Sequence, residues 1–539
     1  MFLLTMLVIV VLAACSGNNA NENNNDSNNT NTNDVAEEGG TLIFARGADS
    51  VSLDPIDMTD GESLRVTNNI FETLFVYDED LELQPGLAED YEVAEDGKTW
   101  TLNLKEGIKF HDGTDFNADA VVFNFERWMD LDHPNHNGDF AYYPFLFGGF
   151  KGEDSHLIEY VEAIDESTLE FKLTDEVGGF ITYLTVPFFG IASPTAIEEY
   201  GDDFYENPVG TGPFKYKSWA RNDEIILEKN EDYHEEGKPK LDQLIIKTIP
   251  DNSARLTSLL AGDIDMMDGL NPDESVTVDS TDGYEFIPRP SFNFSYMAFN
   301  MEKEPFDDVK VRKAIDMAIN KDVIVDSFFN GLAEVSTNAV PPSLWGFNDE
   351  IKPVEFDVDA AKELLAEAGY EDGFETTLFT MDNPREYLPE PMKIAEAIQA
   401  NLSEIGITTE IVTYEWATYL EKASQGEHEM GLFGWTGVLA DPDDFLFPNF
   451  SSIEAEKPAS NYAFYRNEDF TQLLLDAKTT LDENERAEMY KEAQQIQFDD
   501  RPVSMLAHTT PPLALSEDVK GFVPHPMTSD NFANVSLSQ

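Results

Sequence analysis

Cysteine occurs once in the 539 residues, at Cys15, so no disulfide can form within the chain. Bases are almost as conspicuous by their scarcity: 34 Lys and Arg stand against 105 Asp and Glu, a formal net charge of −71. A surface of that sign repels nucleic acid and anionic membranes, which excludes both as partners. No base precedes Arg46. No apolar run reaches the length of a comfortable membrane span; Phe2–Ala14 falls short. The sequence motifs of enzymes are also missing, with no G-x-S-x-G, P-loop, H-E-x-x-H or G-x-G-x-x-G stretch. No fixed-period repeat occurs, which argues against a solenoid. Paired carboxylates carry no information here, since 105 acids produce many by chance.

What is present begins at the N-terminus. The short apolar run ends Leu12-Ala13-Ala14-Cys15 and fits the apolar region of a signal peptide. Leu-Ala-Ala-Cys resembles a bacterial lipobox, which implies acylation of the Cys15 thiol and anchoring to the outer face of the cytoplasmic membrane by lipid alone. Signal peptides open with positive charge, so the missing base predicts a true start upstream of Met1. Residues Ser16 to about Asp34 are dominated by Asn and can bury almost nothing, so residues 16–40 read as a solvated tether. Hydrophobic residues at 41% and aromatics at 12% supply a large core for the remainder. The acid excess predicts self-repulsion that salt relieves, as in a protein of brine or of alkaline medium.

Strand patterns fall at Thr41–Ala45, Thr99–Leu104, Thr168–Leu173, Glu224–Glu228, Leu244–Ile249, Thr408–Tyr414 and Glu429–Gly434. Helical patterns cluster in the second half. Asp359 opens one with Ala361, Leu364 and Leu365, stopped by Gly369; Pro391 opens another through Ile394, Ala395, Ile398 and Leu402; a third runs from about Asp482 to Phe498. Mixed elements without an internal linker predict α/β lobes that share the chain. His133 and His136 flank Pro134, which disfavours the helix needed to align them, so they read as a loop and not as metal ligands. His111 reads as a turn after a strand. No catalytic residue, metal or cofactor is expected.

The stretch Gly97-Lys98-Thr99-Trp100 through Lys109-Phe110-His111-Asp112-Gly113 resembles the signature of the peptide/nickel/oligopeptide solute-binding family of ABC importers. Further blocks resemble it in family order: Asn207 to Phe214, Asp307 to Ala314, and Pro341 to Gly346. Val412-Thr413-Tyr414-Glu415-Trp416 followed by Gly434-Trp435-Thr436-Gly437 is similar to the dipeptide-binding branch. Together they cover the chain from about Thr41 onward.

The resemblance implies an α/β two-lobed flytrap clamp of the large peptide-binding type, with a discontinuous first lobe. Lobe I would comprise residues 41–294, with a subdomain at about 72–208, and would be completed by 506–539. Lobe II would be 295–505, with hinge strands near Ser295–Phe299 and Val503–Ala507. By the same resemblance Arg385 matches the arginine that holds a peptide carboxylate, with Glu386 and Tyr387 beside it. Thr59, Asp60 and Gly61 match a first-lobe ligand loop, and Trp435, Thr436 and Gly437 the facing wall. A guanidinium suits the first role, because it offers a carboxylate two parallel charge-assisted bonds. The peptide-binding branches follow Trp-Thr-Gly with an aspartate for the ligand's ammonium; here Val438 follows. Leaving a buried ammonium unpaired costs about 2–5 kcal/mol. Asp60, Glu386, Asp441 or Asp443 is therefore expected to substitute, or the ligand lacks a free amine.

The implied function is an exported, lipid-anchored receptor that delivers short peptides to ABC permease transmembrane subunits, acting as a monomer. Alternatives are a receptor for glutathione, another modified peptide, a nickel chelate or an oligosaccharide, or a surface sensing protein that reuses the fold.

Overall fold

Strand Thr41–Arg46 pairs in parallel with both Gln243–Thr248 and Met266–Met267, which puts it at the centre of a sheet. That sheet has seven strands, in the order Tyr284–Pro288, Pro512–Ser516, Met266–Met267, Thr41–Arg46, Gln243–Thr248, Glu224–Lys229 and Phe214–Ala220. One of its strands, Pro512–Ser516, comes from the far end of the chain. A six-stranded sheet runs Ala333–Val335, Val503–Thr509, Asn293–Phe299, Met430–Thr436, Glu375–Met381 and Thr408–Tyr414. Its two strands Asn293–Phe299 and Val503–Thr509 are buried at every position, as expected of strands covered on both faces. A four-stranded antiparallel sheet, Ala88–Val93, Thr99–Leu104, Thr168–Leu173 and Ile158–Ala163, packs one face with helix Ala118–Met129 around Phe125, Trp128 and Phe171. The molecule is a two-lobed clamp of mixed α/β structure. The computed structural model describes residues 39–538, so Cys15 and the Asn-rich run lie outside the described residues.

Helix ends follow local chemistry. Pro391 opens Pro391–Glu404 at its first turn, Ile394, Ala395, Ile398 and Leu402 are buried on one face, and Gly406 at φ 84° ends the run. For Val358–Glu367 the cap is Asp357, whose carboxylate accepts from Ala360 N, and Asp359 lies in the first turn. The opening expected at Asp359 is thus displaced by two residues, because Asp357 has the extended backbone that lets a side chain turn back onto the helix.

The chain passes between the two large sheets twice, through Arg289–Phe292 and through Thr510–Pro511. The crossings are bonded to each other, Arg289 N donating to Pro511 O at 2.9 Å. Just beyond, Asn293 Oδ1 accepts from Thr509 N at 3.1 Å and from Thr509 Oγ1 at 2.9 Å, and Asn293 O lies 2.7 Å from His508 Nδ1. Flanking the first crossing, the Arg289 guanidinium lies flat against the Asp530 carboxylate with contacts of 2.8 and 2.7 Å. The connection between the two sheets is therefore a pair of short extended segments bonded to each other and at their ends.

Candidate ligand-binding site

A cavity of about 640 Å³ opens where the lobes meet. First-lobe residues Asn252 and Asp268–Asp273 form one wall, Ser327–Asn330 and Pro384–Glu386 the other, and Thr509–Pro512 lines it where the chain crosses. A volume of that order suits a small-molecule site. A second cavity of about 220 Å³, beside Glu72, Tyr77 and His525, lies away from this wall.

Arg385 sits in a tight turn closed by Arg385 N to Leu388 O at 3.1 Å and Leu388 N to Arg385 O at 2.9 Å. Its guanidinium carbon lies 3.8 Å from the centre of the Trp416 ring, a stacking contact that fixes its plane. All eleven arginines lie among the described residues. Ten of them bond or ion-pair through the guanidinium with an oxygen of the protein. Arg385 has no such partner among the described residues, and its Nε is buried. In a chain with three acids for each base, an unmated guanidinium on a cavity wall is chemically suited to take up an anion.

Glu386 accepts from Thr436 Oγ1 at 2.7 Å, and its carbonyl oxygen lies 2.9 Å from Thr509 Oγ1. Tyr387 is buried with its ring against Gly434, where an added Cβ would collide with it. Trp435 is half-buried with its indole N–H unpartnered. At Gly437 an added Cβ would run into the rings of Phe292 and Phe445, so only glycine fits as its N–H bonds Phe292 O at 3.0 Å. Val438 turns its side chain onto the apolar cluster that includes Phe188 and Phe189.

On the first-lobe side Thr59 and Gly61 are exposed. Asp60 caps helix Gly61–Thr67 and spends both oxygens on Ser63, at 2.8 Å from its N and 2.7 Å from its Oγ. The same helix carries Arg65, which pairs with Asp268 of the cavity wall. Burial opposes the Arg65 charge, but Asp268 and Glu62, with Asp530 and Glu386 beyond them, hold its pKa above the ordinary value. Arg385 and Glu386 therefore line the cavity and Thr436 reaches it through Glu386, whereas Thr59–Gly61, Tyr387, Trp435, Gly437 and Val438 do not line it.

Trp416 carries no signal of its own in the sequence. Trp416 ends one of the family-like blocks, yet only the fold puts its ring under Arg385. Asp444 Oδ2 accepts from Val438 N at 2.6 Å and from Leu439 N at 3.1 Å. Burial outweighs those two donors and pushes its pKa up to about 7. The histidines hold structure: His111 Nε2 lies 2.9 Å from Gly212 O, with its pKa pushed down to about 4 by burial, and His136 Nδ1 lies 2.8 Å from Arg127 O. Among the described residues no three His, Asp or Glu side chains are grouped to hold a metal.

Residues 82–457 match the family described as bacterial extracellular solute-binding proteins, family 5 middle region. The chain belongs to that family. It is 36% identical over 471 residues to the dipeptide-binding protein of Escherichia coli, covering 85% of this chain and 86% of the relative. Among solved structures, the periplasmic binding protein DppA of Helicobacter pylori in complex with the peptide STSA has a TM-score of 0.77 at 35% identity, covering 93% of this chain and 99% of the other. HbpA2 of Haemophilus parasuis gives a TM-score of 0.85 at 32% identity, covering 93% and 100%. Family 5 members are solute-binding components of ABC importers.

Proposed function

We propose that this family 5 protein is a lipid-anchored receptor that captures short peptides in the interlobe cavity and delivers them to a membrane permease, without chemical change. The observation that carries the reading is Arg385, stacked on Trp416 and unmated in a strongly acidic chain. A planar cation held in place is suited to a terminal carboxylate. Relatives named for dipeptide binding and solved with a bound peptide support the ligand class. Calorimetric titration against di- to tetrapeptides, glutathione, a nickel–histidine chelate and an oligosaccharide tests it. Saturable binding of peptides at one site is expected; binding of the non-peptide solutes alone would defeat the reading.

Export and anchoring rest on Leu12-Ala13-Ala14-Cys15 and the Asn-rich run behind it. Cells fed a fatty-acid analogue should label the protein, and Cys15→Ala should abolish the label. Equal labelling of the two would rule out acylation at Cys15.

The acid excess supports a salt-rich or alkaline working environment. Melting temperature should rise as NaCl or KCl increases from tens of millimolar to molar, because the Debye length shrinks to about 3 Å at 1 M. A flat or falling curve in both salts contradicts self-repulsion as an important term.

A further inference from the structure

The segment that leads from strand Met430–Thr436 into helix Pro442–Phe450 changes sides within a few residues. Val438 packs against the apolar cluster around helix Ala118–Met129, and Leu439, 4% exposed, is a full member of it. That cluster belongs to the first lobe: among the described residues, Leu439 is its only buried member from beyond Ile191. Ala440, the next residue, is buried in the second lobe's core with Phe445 and Leu446, and its carbonyl accepts from Trp345 Nε1 at 2.9 Å. The second lobe thus holds two apolar side chains out to the first. Their turn is tied back to the helix, Asp444 Oδ2 accepting from Val438 N at 2.6 Å and from Leu439 N at 3.1 Å.

A second contact joins the same two lobes. Gly178 and Gly179 lie between Val177 and helix Phe180–Tyr183 of that first-lobe cluster. Gly178 N donates to Lys478 O of the second lobe at 2.8 Å. An added Cβ at Gly178 would run into Thr480 O and press on Arg486. One at Gly179 would come within 3.2 Å of Asp441 Oδ2 and 3.4 Å of the Arg486 guanidinium, which form a buried pair of the second lobe. Neither glycine has a positive φ, so a side chain would not strain the first lobe's own backbone. The nearest obstacles at both positions belong to the second lobe. These glycines serve the close approach of the lobes, and none of the residues at this seam lines the Arg385 cavity.

We propose that the seam is a latch: it holds the clamp closed without ligand and slows the release of any ligand without touching it. Opening would bring Leu439 into water and would break the Gly178–Lys478 hydrogen bond, and both changes oppose it. The latch depends on apolar burial and one backbone bond, so it is indifferent to the chemistry of the solute.

Small-angle X-ray scattering of the ligand-free protein tests it with Gly178→Ala, which blocks the contact, and Leu439→Ala, which empties it. Both variants should have a larger radius of gyration than wild type, with unchanged far-ultraviolet circular dichroism. Stopped-flow release of Ser-Thr-Ser-Ala and of Met-Leu should be at least tenfold faster in each variant, by the same factor for the two peptides. A radius equal to that of wild type, or unchanged release, in the folded variants overturns the proposal. Faster release of one peptide but not the other overturns it as well, since the segment would then meet the ligand. Loss of folding in Gly178→Ala also overturns it, because that glycine would then serve the first lobe itself. Should Leu439→Ala unfold, Gly178→Ala decides alone, since it removes no buried group. If neither peptide binds wild type, the peptide reading fails, and the scattering comparison still decides the latch.

Discussion

Arg385→Ala should weaken binding of a peptide with a free C-terminal carboxylate at least tenfold and leave the affinity for its C-terminally amidated form nearly unchanged. A charged hydrogen bond contributes about 1.5–3 kcal/mol net, and each 1.4 kcal/mol is a factor of ten. Among the described residues the Arg385 guanidinium has no protein acceptor to lose, so its removal orphans no carboxylate there. What is lost on the free side is the stack on Trp416, worth about 0.5–1 kcal/mol at an exposed site. The melting temperature should consequently move little while the affinity falls. Arg385→Lys should recover only part of the loss, because an ammonium keeps the charge but neither the planar fork nor the stacking face. Equal weakening of the free and amidated peptides would mean that Arg385 shapes the cavity without meeting the carboxylate.

The largest loss of stability is expected at Asp530→Ala. Arg289 and Asp530 are 4% and 1% exposed, they meet through two parallel contacts, and Asp530 Oδ1 also accepts from His525 N at 3.1 Å. Breaking a buried pair from one side leaves the other charge uncompensated, at a cost of about 3–5 kcal/mol. Burial works against the Asp530 carboxylate, but Arg289 more than offsets it and holds the pKa below the ordinary value. A depressed carboxylate contributes stability that is fully present above its unfolded pKa. That contribution is lost only as pH falls through the folded value, so at neutral pH the whole cost should appear. Urea unfolding of wild type and variant measures it. Arg289→Met/Asp530→Leu together should cost less than Asp530→Ala alone, since no unpaired charge then remains. A loss under about 1 kcal/mol for Asp530→Ala would show that the pair beside the crossing strands contributes little to stability, contrary to the cost expected of a buried pair broken from one side.

Elements with strong local period are legible in the sequence. Thr99–Leu104 and Thr168–Leu173 bury every second residue, and that alternation alone bounds them. Ala88–Val93, an edge strand of the same sheet, buries only its first residue, and no alternation betrays it. Helix Ala118–Met129 escapes notice for the opposite reason: Val121, Val122, Phe123, Phe125 and Trp128 give it the β-branched and aromatic composition of a strand. Its helical state is fixed by the Asn117 cap and by packing on the four-stranded sheet. In the site, Arg385 stands out because bases are rare. The stack of Arg385 on Trp416 joins segments that are distant in sequence, and no local pattern announces it.

Native mass spectrometry of the protein purified without denaturation tests the peptide-receptor assignment most directly. The expected result is a 1:1 complex whose extra mass resolves, on activation, into a set of short peptides with free carboxyl termini, and whose occupancy falls sharply in Arg385→Ala. A bound sugar, chelate or other solute without a peptide backbone, at the same occupancy in wild type and Arg385→Ala, would contradict it.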